Sequence, residues 1–292
     1  MIENIVLKNI ITSEEIPMDM KATIYILQSI DWGVVEGSHH SYKYVNQIGV
    51  HVIGTTLEAR NVKIIGWVTG VTEDQLRKRK AVLNKMINPQ QAIDISTEDY
   101  VLRILPESSI LYSVNYAENN EIVCKFQIDG FCPDPLFKNL IETKTTVAGT
   151  LPKFRFPLII PETTGIIMGL KQTSLIVNIL NKGAVDVGMR IVFRAIGTVT
   201  NPILIDIKSQ QFFKLNKVMV AGEVIEVVTI LGEKRIIGTI SGEEFNYFKY
   251  RDFDSSWLKL AVGDNLLRYD AETNLDSLEV WIYHNDKYLE VQ

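Results

Sequence analysis

What this chain of 292 residues is short of limits what it can be. Its two cysteines, Cys124 and Cys132, are too few for a disulfide framework or a thiolate metal set. The four histidines, His39, His40, His51 and His284, are not spaced as ligands on one helix or turn, and zinc needs a set of three or four. No metal and no cofactor is expected. No apolar run approaches the roughly 20 residues that cross a bilayer, so membrane insertion is not expected either. A cationic excess is also missing: 30 Lys and Arg against 35 Asp and Glu leave a net charge of −5. That balance disfavours tight binding of nucleic acid, whose affinity comes mainly from neutralised phosphates. The opening MIENIVLKN lacks the basic-then-apolar layout of a secretory leader, so folding in a cytoplasm is the expectation. There is no Gly-rich phosphate loop and no dinucleotide fingerprint. The acidic pairs Glu14-Glu15, Glu98-Asp99 and Glu243-Glu244 are chain neighbours, which a strand sends to opposite faces rather than across a cleft. No catalytic residue follows from the sequence.

What is present is a folded chain, 46% hydrophobic and 22% charged, composed mostly of strands. One helix stands out, predicted over residues 73–88. Thr72 can cap it and Gln75 falls three places later, the capping-box spacing. Glu73 and Asp74 lie at the positive end of its dipole, and Asn88-Pro89 stops it. Leu76, Val82, Leu83, Met86 and Ile87 share one broad face. The basic run Arg77-Lys78-Arg79-Lys80 fans around the helix and cannot form a single basic face. Arg79 points into the apolar stripe, where its stem can pack while its head reaches water or a carboxylate. Arg77 and Lys78, with Trp67 on the preceding strand, are candidates for a subunit contact.

Before the helix, MIENIVLKN, KATIYILQSIDW and YKYVNQIGVHVIGTTLEARNVKIIGWV read as strands, with 36–41 as a loop or hairpin tip. After it come DYVLRIL and the alternating EIVCKFQID, in which Ile122, Cys124, Phe126 and Ile128 share a side. Cys124 is therefore expected to be a buried structural thiol. Cys132-Pro133-Asp134-Pro135 ends that run. Thr-rich, Pro-punctuated text follows, and the expected division is a first domain over 1–140, a linker over 141–164 and a second domain over 165–292. The second domain reads as many short strands with Gly, Asn and Pro turns, a β-sandwich or jelly roll. Its aromatic run, Phe245 to Phe253 followed by Trp257, is the surface candidate. Tyr247, Tyr250 and Trp257 are singled out either as stacking residues for a sugar or as a partner contact, against the plainer reading of core rings.

In order along the chain, RNVKIIGWVTG leading into TEDQLRKRKAVLNKMINP, then DYVLRILPE, EIVCKFQIDGFCPDPLF, NKGAVDVGMRIVFRAIGTVTNPIL, VAGEVIEVVT and SSWLKLAVGDNLLRYDA form a set. With these segments the chain resembles the distal tail protein (Dit) family of long-tailed phages of Gram-positive bacteria. The resemblance implies a mainly β protein: an N-terminal β-sandwich with one α-helix, related to tail-tube proteins, and a C-terminal galectin-like β-sandwich. It implies a structural virion protein at the tail tip, assembled in the bacterial host cytoplasm, and not an enzyme. The expected partners are five more copies in a hexameric ring, the tail tube protein, the tail-associated lysin or tail fibre, and the tape-measure and receptor-binding proteins. DNA only passes through. Sheet edges of the first domain are expected to pair across subunits. A carbohydrate-binding module or adhesin, acting through the second sandwich on cell-surface carbohydrate, is the alternative.

Overall fold

The computed structural model describes residues 4–148, 150–152, 169–171 and 176–291. The chain divides into two compact units, Met1–Leu140 with Tyr288–Gln292, and Ile141–Lys287.

The first unit contains β1 (Asn4–Asn9), β2 (Glu15–Asp19), β3 (Tyr25–Asp31), β4 (Gly37–Tyr42), β5 (His51–Leu57), β6 (Arg60–Thr69), α1 (Glu73–Met86), β7 (Ile93–Ser96), β8 (Tyr100–Pro106), β9 (Leu111–Tyr112), β10 (Val123–Cys132) and β11 (Phe137–Asn139). Its sheet runs β8-β7-β1-β2-β3-β6-β10, and β10 also pairs with β8 through Gly130↔Pro106 and Phe131↔Leu105. Where a β-sandwich was expected, seven strands form a barrel-like sheet closed on itself. Alternation tells which side chains turn inward, but not that two remote strands meet. Closure needs Gly130, where a Cβ would lie 2.5 Å from the Ile104 side chain. The enclosed core includes Leu7, Met18, Ile64, Leu102, Ile104, Phe126 and Ile128. Cys124 is buried in phase with them, whereas Ile122, expected on the same side, precedes the strand and is exposed.

The helix begins as the spacing predicts. Thr72 Oγ1 accepts from Gln75 N at 3.3 Å, and Gln75 Oε1 accepts from Val71 N at 3.2 Å, one residue earlier than in the usual box. Leu76, Leu83, Met86 and the capping Ile87 are buried. Val82 is not: it lies 100° around from Leu83 and is 49% exposed, so the buried stripe is narrower than expected. Arg79, half-buried beside that stripe, donates to the Thr69 carbonyl rather than meeting a carboxylate.

Asn9 ties the helix end to the barrel. It is fully buried; its Nδ2 donates to Met86 O (3.1 Å) and Gln91 Oε1 (2.8 Å), and its Oδ1 accepts from Ile11 N (2.9 Å) and Thr12 N (3.1 Å).

The second unit begins inside the stretch expected to be a linker. β12 (Thr143–Ala148) is a strand of its larger sheet; β13 (Thr150–Pro152) pairs with β14 (Gly169–Lys171), and 153–164 lie outside the described residues. Then follow β15 (Ile176–Asn181), β16 (Val187–Gly188), β17 (Arg190–Ala195), β18 (Val199–Asp206), β19 (Phe212–Lys214), β20 (Val218–Met219), β21 (Val224–Val228), β22 (Arg235–Ile240), β23 (Glu243–Asn246), β24 (Lys259–Leu260), β25 (Gly263–Thr273) and β26 (Leu278–His284). One sheet is ordered β12-β26-β17-β21-β22-β23. The other is β15-β25-β18-β19, with β20 also on β18. Inward residues of both, including Phe193, Ile225 and Val280 from the first and Leu204, Phe213 and Leu267 from the second, form one core.

The last strand, β27 (Lys287–Tyr288), brings the chain back beside β11. Tyr288 packs edge-on against Tyr100 at 5.3 Å between ring centroids. The buried Arg60 donates to Leu289 O at 3.3 Å while lying 4.4 Å from the Phe137 ring centroid. So five C-terminal residues belong to the first unit, which no pattern in the sequence signals.

Two outcomes follow from these buried polar groups. Asn9→Ala removes the acceptor of two backbone donors and one of the two donors to the Met86 carbonyl, which keeps Asn88 N, and is expected to cost about 1–2 kcal/mol, read as a lower urea midpoint at unchanged slope. His284 is buried, and burial holds its pKa below the ordinary 6.5 although Asp286 lies 3.4 Å away. The folded state therefore takes up this proton less readily than the unfolded chain. On this account stability is intact above about pH 6.5 and is lost as pH falls below it. In His284→Asn, the drop in melting temperature from about pH 7 to about pH 5 is expected to be smaller than in the parent.

Candidate functional site

The surface singled out by the sequence is the aromatic run of the second unit. β22 and β23 form a hairpin whose turn places Ser241 and Gly242 at φ 52° and 88°. Past β23 the chain turns in, and the Tyr247 backbone donates to Ile236 O at 2.9 Å. Tyr247 is buried, its ring lying where a side chain on Gly238 would stand. Tyr250 meets it edge-on at 5.2 Å, and the Lys217 ammonium lies 4.8 Å and 5.3 Å from the two ring centroids. Lys217 is held 3.0 Å from the fully buried Glu223, whose other carboxylate oxygen accepts from Val220 N. Burial, with the Glu223 hydrogen bond, pushes the Tyr247 hydroxyl up to about 12. These two tyrosines are packed around a buried ion pair.

Trp257 is half-buried between Phe213 and Phe248, at 5.5 Å and 5.9 Å between centroids, with Lys234 and Arg251 each 5.3 Å from its ring. The open rings here are instead Phe245, Phe248 and Phe253, the last 98% exposed. A cleft of about 340 Å³ runs between Phe245, Phe248 and Ile237, with Lys234, Arg235 and Asn246 beside it. β23 is the edge strand of its sheet. Exposed phenyl rings, lysine and an open strand edge suit an extended apolar segment of a protein. Sugar stacking needs an open ring face beside hydrogen-bonding groups. Of the three candidates Tyr247 is buried, while Tyr250 and Trp257 are half-buried with cations about 5 Å from their ring centroids.

The first-unit candidates lie on two elements. Trp67, on β6, donates to Gln28 Oε1 at 3.0 Å and has Lys125 5.6 Å from its ring. Arg77 is exposed and paired with Glu73 at 2.8 Å and Asp74 at 3.8 Å, along the helix; Lys78 is exposed. The basic run does not act as a unit, since Lys80 turns to the Tyr112 ring at 4.3 Å. Beside this face, α1 and residues 116–121 enclose a cleft of about 550 Å³ lined by Leu76, Ala81 and Tyr116, with Glu73, Arg77 and Glu121 around it.

Among the described residues no group of three or more His, Cys, Asp and Glu is placed to hold a metal. His39 and His40 meet Thr55 and Thr56 across the β4–β5 hairpin. Glu14 and Glu15 do part to different partners, Lys85 and Lys8. Burial raises both thiols, Cys132 to about 11, which makes them poor nucleophiles.

Against known proteins, no family model and no curated sequence matches. Solved structures do. SPP1 Dit (gp 19.1), described as a paradigm of the hub adsorption apparatus in phages infecting Gram-positive bacteria, superposes with a TM-score of 0.64 and 15% identity, over 97% of this chain and 98% of that one. The chain has a Dit-like fold. A chain of the phage P2 baseplate in its activated conformation with Ca gives a TM-score of 0.53 at 9% identity, covering 99% of both chains; the form with Sr gives 0.52. The Dit-like fold thus spans both units, not one of them.

The contact most open to test is Tyr247 on Gly238. Gly238→Ala puts a methyl group inside the ring position, and is expected to cost about 1–3 kcal/mol in urea unfolding and to change the near-ultraviolet circular dichroism of the aromatic cluster.

Proposed function

We propose that the chain is a structural hub protein of a phage tail tip. In this reading the first unit closes with copies of itself into a hexameric ring, and the second unit offers its surface to other tail proteins. The ring joins the tail tube to the tail-associated lysin or fibre and the adsorption proteins, and DNA passes through its hole. The protein is a virion component, built in the host cytoplasm, and does its work by holding others rather than by catalysis.

The observation that carries the reading is the extent of the likeness, which covers 97% of this chain and 98% of SPP1 Dit and so takes in both units. The exposed Phe245 and Phe248 beside the β23 edge support docking of a protein on the second unit. Nothing comparable supports sugar, because Tyr247 and Tyr250 are spent in packing.

Light scattering on a size-exclusion column, followed by electron microscopy of the leading peak, is expected to give a six-fold ring with an axial hole. A monomer at every concentration, with and without the tail tube protein, would remove the proposal.

A further inference from the structure

The first unit is discontinuous in the chain: residues 141–287 belong to the second unit, and the chain returns to the first only afterwards. β27 is therefore the last strand made, and the first unit lacks it until the second has been synthesised.

The returning segment is built into the first unit. β27 lies beside β11 in its sheet, and Tyr288 meets Tyr100 edge-on. Tyr288 and Val291 both pack against the first core. Leu289 O accepts from the buried Arg60, whose guanidinium also interacts with the Cys132 thiol and with the Asp134 and Glu290 carboxylates. A buried guanidinium costs stability unless its donors and its charge are met. The Leu289 carbonyl and Glu290 meet part of that need, so residues 287–291 act as a strap.

How readily the strap finds its place depends on the second unit. When that unit is folded its own first and last strands are paired, with Thr143 opposite His284. Residues 140–142 lead into that pair from β11, and residues 285–286 lead out of it to β27. The folded unit thus hands the strap to β11 through a short connection. Unfolded, it becomes a loose loop of about 140 residues that the same contact has to close. Against a link of about five residues, closing that loop weakens docking by on the order of 100-fold. The linkage is mutual. A docked strap ties down both ends of the second unit, as a cross-link would.

We propose that the strap couples the folding of the two units: unfolding of the second loosens the strap from the first, and release of the strap lowers the stability of the second. The coupling needs no contact between the units, only the closing of the chain.

Native-state hydrogen exchange of the full chain, read by mass spectrometry in peptides from β10 and from β17, tests this. Tyr288→Ala and Val291→Ser are combined, since both side chains pack on the first core and neither belongs to the second. Exchange in β10 is expected to speed up, as any loss of packing there would make it. What coupling adds is faster exchange in β17, a strand of the second unit, by at least ~10-fold and up to the ~100-fold set by loop closure. Ile64→Val, a lesion in the first core outside the strap, is expected to speed β10 alone. A β17 that is unchanged in the strap variant, or that responds equally to Ile64→Val, overturns the proposal. Should the double variant not fold, Val291→Ser alone goes through the same comparison, with a rise of about 2-fold or more in β17 expected. The same two outcomes then decide it.

Discussion

Everything in the first unit depends on β10 pairing on both sides, with β6 along its whole length and with β8 at its far end. A strand with two neighbours has no free ladder of donors and acceptors. Once β10 joins β6 to β8, the seven-stranded circuit has no open edge, and closure is the surest protection of a sheet against indiscriminate pairing. The constraint is steric as well as topological: the crossing is only as close as Gly130 lets it be against Ile104.

Closure also decides how such a unit can associate. Sheet edges were the expected means of joining subunits, and those left in the first unit are at β9, at β27 and on the β4–β5 pair, outside the circuit. What the closed sheet leaves over are features carried outside it, the β4–β5 hairpin and the single helix with its flanking segment. Both are held by connections to the same strand, β6. The second unit is arranged differently, its strand β23 lying open at a sheet edge beside exposed phenyl rings.

Much of this was legible before any coordinates. The helix was announced by Thr72, Gln75 and Asn88-Pro89, and the second-unit strands by their β-branched runs, because these signals act over a few residues. The limits were of three physical kinds. Periodicity in β10 gave the buried faces of Cys124, Phe126 and Ile128, but pairing between remote strands leaves no local trace, so the closed sheet was missed. The polar stretch over 36–41 has no buried side to impose alternation, so it read as a loop or hairpin tip although Gly37–Tyr42 is a strand, whereas the text after it was read as strands. In the run from Phe245 to Trp257 the sequence supplied the aromatic surface but not its sorting. Gly238, seven residues before Phe245, makes the space that draws Tyr247 inward and leaves the phenylalanines outside.

The return of the chain at Tyr288 has a consequence for how such proteins diversify. The strands that leave and rejoin the first unit, β11 and β27, are hydrogen-bonded neighbours in its sheet. Residues 141–287 are thus an insertion whose two ends meet at one point of an otherwise finished barrel. A different module with adjacent termini could be spliced at that point without disturbing a single inward side chain of the host. Cutting the chain after Leu140 would be a poorer way to isolate the barrel, because it discards the partners of Arg60 and Tyr100. Exchange of the inserted unit, rather than its loss, is the change this connectivity makes easy.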